Sequence, residues 1–200
     1  MDHPTSLKSS FVWRKLEMNL RRRKVSLGLL LLGAVLLMLG CGGGTTASYA
    51  RRGPVKMSSR WVILPVANNS ETPLAGERVE AMLDTVLRKG GVAQLDRYPP
   101  AKEDDTHLVT SDRQRYEAAF EWARNAKYDY AVAGSVEEWR YKSGLDGEPA
   151  IGLSLRVVEV ATGRVLWAGT GTKTGGANEN TSATALKLLD MMVQELNSSP

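Results

Sequence analysis

The chain has 200 residues and a formal net charge of +4, with a sequence pI of about 9.2. Residues 1–40 hold seven of the 26 basic residues but only two of the 22 acidic ones, which leaves 19 basic and 20 acidic side chains after residue 40. A nucleic-acid-binding domain keeps a basic surface for phosphate contacts, so this near-neutral remainder excludes that class.

The first predicted element is a secretory signal. Four basic residues, Arg21–Lys24, precede an uncharged, leucine-rich run of 16 residues, which is shorter than the roughly 20 needed to span a bilayer. The run ends in LMLGC at Cys41, a pattern that resembles the bacterial lipobox, so residues 1–40 are predicted as a lipoprotein signal peptide and Cys41 as the site of lipid attachment. Because Cys41 is the sole cysteine, an internal disulfide is excluded. The signal is complete from Met18, and we hypothesise that Met18 is the true start.

Residues 41–59 are predicted as the lipidated cysteine followed by a flexible tether. The stretch after Cys41 is rich in Gly, Thr, Ser and Arg, a composition typical of a linker. In a Gram-negative host, Gly42 in place of an aspartate is typical of lipoproteins sorted to the outer membrane. Several acyl chains on one cysteine make such anchoring stable, so we expect a domain held at the periplasmic face.

Residues 60–200 are predicted as one periplasmic α+β domain. An apolar run at 61–66 predicts the first strand, with an edge or bulge at Pro65. Helical spacing of apolar residues follows until Gly90-Gly91, and a short strand is predicted at 92–98. A second helix is expected from about Asp112 to Ala126, with Ser111 as its N-cap.

The second half of the domain is predicted as three strands and a closing helix. Strands are expected at 128–141, 148–160 and 164–169, and the last helix carries apolar residues from 185 to 196. The fold class is therefore α+β: a single mixed or antiparallel β-sheet of about five strands packed with three helices, in the order βαβαβββα. We expect the helices to lie over one face of the sheet.

Few residues favour catalysis. After residue 40 the chain has one histidine, His107, in a polar loop beside Asp104-Asp105, so a zinc site or a Cys-His dyad is excluded. Glu137-Glu138 are adjacent in a predicted strand, where they should point to opposite faces and act as solvated charges. The glycine-rich run 169–175 lacks the GxxxxGK[ST] spacing of a phosphate-binding loop. No enzyme activity, metal or cofactor is predicted.

Two segments carry a resemblance to a known family. Residues 134–142 (GSVEEWRYK) and 144–149 (GLDGEP) resemble the PelC-type lipoproteins of Pel exopolysaccharide export. The segments ILPVANNS at 63–70 and LDR at 95–97 are similar to a wider group that includes the lipoproteins CsgG and LpoB. The resemblance covers most of residues 60–196.

The resemblance implies a homo-oligomeric ring on the periplasmic side of the outer membrane, beneath a PelB-like export barrel. It also implies an acidic inner surface that guides a cationic polysaccharide, without catalysis. Asp146 matches the acidic loop, although an ordinary Asp-Gly turn explains it equally well. Trp139 and Trp167 are candidates for an interface or membrane-proximal position, and packing in the domain's core explains them equally well. The alternative is a tethered binding module that activates a peptidoglycan synthase, similar to LpoB.

Overall fold

The computed structural model describes residues 44–99, 111–142, 147–176 and 178–198. Residues 43–200 form one compact unit. The predicted signal peptide and Cys41 lie outside the described part of the chain. The elements of this unit are β1 Thr45–Arg51, β2 Arg60–Asn68, α1 Ala75–Lys89, β3 Gln94–Arg97, α2 Asp112–Asn125, β4 Tyr130–Tyr141, β5 Pro149–Glu159, β6 Arg164–Thr174 and α3 Thr181–Asn197.

The six strands form one mixed sheet in the order β1-β6-β5-β4-β2-β3. Strand β2 runs parallel to both β3 and β4, whereas β4, β5, β6 and β1 pair antiparallel. The α+β class, the single sheet and the three helices are confirmed. The sheet has one strand more than the five expected, and the additional strand is β1.

The helices pack on both faces of the sheet, so the expectation that they share one face is wrong. Helices α1 and α3 cover one face, while α2 packs against β2 on the other. In the sheet, β3 and β4 lie on opposite sides of β2. The connection from β2 to β3 therefore runs toward one edge of the sheet, and the connection from β3 to β4 runs back across β2 toward the other edge. Since such crossovers are right-handed, the two connecting helices lie on opposite faces.

Strand β2 is buried on both faces for the same reason. Trp61 and Ile63 belong to the core under α1 and α3, and Val62 and Leu64 belong to the smaller core under α2. All four side chains are fully buried. Its continuous apolar run is the pattern of a strand covered on both sides.

The predicted flexible tether is wrong over residues 45–51, which form strand β1 at the edge of the sheet. Each of its seven residues pairs with β6, from Thr45 opposite Lys173 to Arg51 opposite Trp167. The following residues fold back on the domain, where Val55 and Met57 pack against the larger core. The ordered domain therefore begins about 15 residues before the predicted boundary at residue 60.

Local signals in the sequence fix several element ends. Ser111 caps α2 in a capping box with Gln114, as predicted, and α1 ends at Lys89 before the glycine pair. The predicted bulge at Pro65 is confirmed, because the β2–β4 register shifts between Ile63 and Val66.

Candidate functional site

An open groove of about 580 Å³ lies where β2 and β4 end. It is lined by the turn after β2, the last residues of β4 and single residues of β5 and β6. The lining residues are Asn69, Ser70, Glu71, Glu137, Glu138, Trp139, Arg140, Gly152 and Thr172.

The turn after β2 is held by the side chain of Asn68. Its Oδ1 accepts hydrogen bonds from the Ser70 backbone N–H at 3.1 Å and from the Ser70 hydroxyl at 2.7 Å, while its Nδ2 donates to the Thr72 carbonyl at 2.8 Å. Such a side-chain-to-backbone turn is a common use of asparagine. The Thr72 hydroxyl then donates to the carbonyl of Trp139 at 2.5 Å, which joins the turn to β4.

Glu137 and Glu138 both line this groove, so the prediction that they point to opposite faces is wrong. The β4–β5 register shifts between Val136 and Glu138, which marks a β-bulge that interrupts the strict alternation of side chains. A Cβ built on Gly152 of β5 would lie 3.2 Å from the Cβ of Glu138 and 3.5 Å from that of Glu137. The glycine therefore leaves room for two carboxylate side chains on one face.

The two carboxylates have different partners. Glu137 accepts hydrogen bonds from the Ser135 hydroxyl at 2.5 Å and from Asn69 Nδ2 at 3.0 Å, and these bonds lower the pKa of the Glu137 carboxyl. Glu138 instead forms an ion pair with Arg140 at 2.8 Å. Glu137 is exposed and ionised, and its hydrogen-bond donors are neutral. No cation among the described residues pairs with it, so its negative charge faces the groove.

The structure describes only some of the residues that the sequence predicts as functional. Cys41 and Asp146 lie outside the described residues, as do His107 and Asp104-Asp105. In the sequence, Asp146 lies between Tyr141, the last residue of β4, and Pro149, the first residue of β5.

Trp139 and Trp167 are buried in the domain's own core, each 3% exposed. Packing in the core is one of the alternatives predicted for both residues, and the structure has them there. The Trp167 ring stacks on Tyr49 of β1 at a centroid distance of 5.9 Å, a contact that a flexible tether would not make.

The sequence analysis did not identify the groove residues Asn69 and Glu71, and it predicted Glu137 only as a solvated charge. The adjacent glutamates, Glu137 and Glu138, are recognisable in the sequence as a pair of charges. That both side chains lie on one face of the sheet depends on the bulge in β4 and on Gly152 of β5, which the sequence alone does not indicate. The glycine-rich run 169–175 also has a packing role, since Gly171 of β6 lies against Leu188 of α3. It continues β6 to Thr174 and forms no loop around a phosphate.

Within the described ranges, no group of three or more metal-ligating side chains is close enough to hold an ion. No helix in the same ranges is both long and apolar enough to cross a bilayer. The groove offers carboxylate, amide and hydroxyl groups, which suit a ligand that bears hydroxyl and ammonium groups.

The sheet order, the helices on both faces and the bulged β4 define a small α+β domain with an open, carboxylate-lined groove at one end. No protein-family model and no curated protein sequence matches the chain. Among solved structures, the PelC dodecamer from Paraburkholderia phytofirmans is 31% identical, over 78% of this chain and 100% of that chain, with a TM-score of 0.65. A variant PelC dodecamer from the same organism gives a TM-score of 0.66 at 31% identity, over 78% of this chain and 100% of that chain.

Lipoprotein GNA1162 from Neisseria meningitidis is more distant, at 16% identity and a TM-score of 0.48 over 70% of this chain and 99% of that chain. The PelC matches cover the whole of a solved chain at more than 30% identity. The chain belongs to the PelC family, which confirms the resemblance carried by residues 134–149.

Proposed function

We propose that this chain is a non-catalytic component of exopolysaccharide export, anchored by lipid on Cys41 to the periplasmic face of the outer membrane. Identical copies form a ring beneath an export barrel and guide a cationic polysaccharide toward it. The observation that carries the proposal is the match to PelC of Paraburkholderia phytofirmans, whose crystal structure is a dodecamer and whose entire chain is covered.

The charges at one end of the domain support a guiding role. Glu71 and Glu137 line the groove, and the lowered pKa of Glu137 keeps that carboxyl ionised. Asp146 lies in the β4–β5 connection that follows the same end of β4. A ring repeats each of these carboxylates, and a confined negative surface concentrates a cationic chain without holding any one sugar tightly.

The short distance between Cys41 and the domain disfavours the alternative of a tethered synthase activator. The predicted tether of 18 residues, from Gly42 to Ser59, would reach about 60 Å when fully extended. Since β1 begins at Thr45, the linker from Cys41 spans about 14 Å at most. A domain held this close to its anchor suits a component that works at the membrane surface.

The assembly is tested by the mass of the processed lipoprotein in detergent and in lipid nanodiscs, measured by light scattering after size exclusion. A closed multimer of defined mass supports the ring, and a monomer in both media contradicts it.

The guiding role is tested separately, by binding of short glucosamine oligomers to the assembled protein at low and high salt. We expect Asp146→Asn and Glu137→Gln each to weaken binding several-fold at low salt, because each removes one charge per subunit. Glu121→Gln, at an exposed position on α2, is the matched control. Equal binding by all three variants would contradict the proposed acidic path.

A further inference from the structure

Helix α2 covers only part of the sheet face on which it lies. It packs against β2, whereas strands β5, β6 and β1 continue the same face beyond the helix. On this face Arg156 of β5, Thr170 of β6 and Ser48 of β1 are exposed. The described residues therefore leave a broad sheet surface open beside α2.

One hydroxyl-bearing residue from each of four strands lies in a single row across the open face. Ser135 of β4 pairs with Ser154 of β5. Ser154 pairs in turn with Thr170 of β6, and Thr170 with Ser48 of β1. Directly paired residues of antiparallel strands share a face, so the four side chains are neighbours. The hydroxyl oxygens of Ser154 and Thr170 lie 3.2 Å apart. We call these four residues the hydroxyl row.

The hydroxyl row begins beside the carboxylate groove. The Ser135 hydroxyl donates to Glu137 at 2.5 Å. The neighbouring row contains the paired residues Gly152 and Thr172, which both line the groove. The groove and the open face are therefore one continuous surface, with carboxylates at one end and uncharged hydroxyls along β5, β6 and β1.

The hydroxyl row is flat and regularly spaced. Neighbouring strands lie about 4.8 Å apart, so a hydroxyl recurs at about that interval, which is comparable with the length of one sugar unit in an extended chain. Arg156 lies in the adjoining row, and its guanidinium is 4.8 Å from the centroid of the Tyr116 ring of α2. This long side chain is thus held toward the helix and away from the hydroxyls of β6 and β1.

We propose that the hydroxyl row binds uncharged sugar units of the exported polysaccharide through their hydroxyl and N-acetyl groups, while the groove carboxylates bind the units that carry ammonium. The inference rests on the proposed function and adds a second kind of contact to it. Serine and threonine hydroxyls both donate and accept hydrogen bonds, as the groups of a neutral sugar require. An ionised carboxylate only accepts, so it has no hydrogen to offer an N-acetyl carbonyl.

The composition of the open face favours a sugar chain over a second copy of this protein. The cores of protein–protein interfaces are enriched in aromatic residues and depleted in serine. None of the exposed large hydrophobic side chains among the described residues belongs to the hydroxyl row or to the rows on either side of it. Charge complementarity selects the same ligand, because a polymer whose ammonium groups meet Glu71 and Glu137 brings its neutral units onto the adjoining hydroxyls.

Two sugar tetramers separate the two contacts. The tetramer of N-acetylglucosamine probes the hydroxyl row and the tetramer of glucosamine probes the carboxylates, each by ligand-observed NMR titration of the processed lipoprotein in detergent. We expect Ser48→Ala with Thr170→Val to weaken binding of the acetylated tetramer several-fold at low and at high salt, because no charge is involved. The matched control is Ser182→Ala with Thr85→Val, which removes two exposed hydroxyls from the helices of the opposite face.

A blocking substitution provides a second variant. Thr170→Arg places a long, charged side chain on the hydroxyl row and should abolish binding of the acetylated tetramer, whereas Thr85→Arg should leave it unchanged. Failure of the parent protein to bind this tetramer overturns the inference, and so does equal binding by the parent and the row variants. A smaller assembly mass for Thr170→Arg, measured by light scattering, also overturns it, because the row is then a contact between copies.

The glucosamine tetramer distinguishes failure of this inference from failure of the proposed function. If Glu137→Gln weakens its binding at low salt while the acetylated tetramer does not bind, the acidic path stands and the sugar contact of the hydroxyl row is wrong. If the acetylated tetramer binds through the row while the glucosamine tetramer does not bind, the inference stands and the acidic path is contradicted.

Discussion

The guanidinium of Arg51 donates a hydrogen bond of 2.6 Å to the carbonyl oxygen of Leu196, which joins the end of β1 to the end of α3. A second, longer bond of 3.3 Å reaches the carbonyl of Glu195. The last carbonyls of a helix lack intrahelical partners and carry partial negative charge, so a half-buried guanidinium is a favourable cap.

Removing this cap should destabilise the domain. We expect Arg51→Ala to lower the free energy of unfolding by about 1–3 kcal/mol, because two carbonyls lose a charged donor. Urea unfolding followed by circular dichroism measures the change. Arg52→Ala, at the exposed neighbouring position, should stay within about 0.5 kcal/mol of the parent. Equal effects of the two substitutions would mean that β1 is not docked as described.

Gly169 is required by the packing of β1 on β6. A Cβ at this position would approach within 2.7 Å of the Trp167 ring and 2.8 Å of the Tyr49 ring. We expect Gly169→Ala to cost about 1–3 kcal/mol of unfolding free energy, since two stacked, packed rings must move. Gly176→Ala is the matched control, because nothing lies within 4 Å of its Cβ position. Thermal unfolding of both variants would show a loss for Gly169→Ala alone.

Glu80 should make stability depend on pH. Its carboxylate accepts a hydrogen bond of 3.0 Å from the Val66 N–H at the bulge of β2, and burial raises the pKa of the Glu80 carboxyl above its usual 4.5. The native state then binds the proton more tightly than the unfolded state, so stability falls as pH rises from 4.5 through the raised pKa.

Glu80→Gln removes this titration and retains an oxygen acceptor for Val66. The stability of the variant relative to the parent should therefore increase across that pH range, as measured by urea unfolding at several pH values. A difference that does not change with pH would contradict the assignment.

Glu137 should respond in the opposite direction. Hydrogen bonds from Ser135 and Asn69 lower the pKa of its carboxyl, so the stability they add is present above the usual pKa of 4.5 and is lost as pH falls through the lowered value. Carbon-13 NMR titration of the side-chain carboxyl measures this pKa directly. Ser135→Ala and Asn69→Ala should each raise it toward 4.5, and a value unchanged in both variants would contradict the hydrogen bonds as its cause.

Local patterns in the sequence predicted most elements of the fold. The apolar periodicity of α1 and α3, the Ser111 cap and the Thr162-Gly163 turn all depend on neighbouring residues, and the structure has them where they were expected. Gly163 adopts a φ of 71°, the conformation for which a hairpin turn selects glycine.

Strand β1 could not be recognised in this way. The sequence TTASYAR has no apolar run, and its strand structure depends on pairing with β6 and on the contacts of Tyr49 and Arg51 with distant residues. Its polar composition is also that of a linker, so local reasoning favoured a tether. The groove was missed for a similar reason, because a register shift and a glycine on another strand bring Glu137 and Glu138 to one face.

The docking of β1 has a consequence for the order in which the chain folds. Thr45 and Lys173 are 128 residues apart, and Arg51 and Leu196 are 145 apart, so the first strand finds its partners only after nearly the whole chain has emerged. Contacts of such separation form slowly, because a long loop must close first. Strand β1 is therefore the last strand to join the sheet, and β6 remains an unpaired edge until it does.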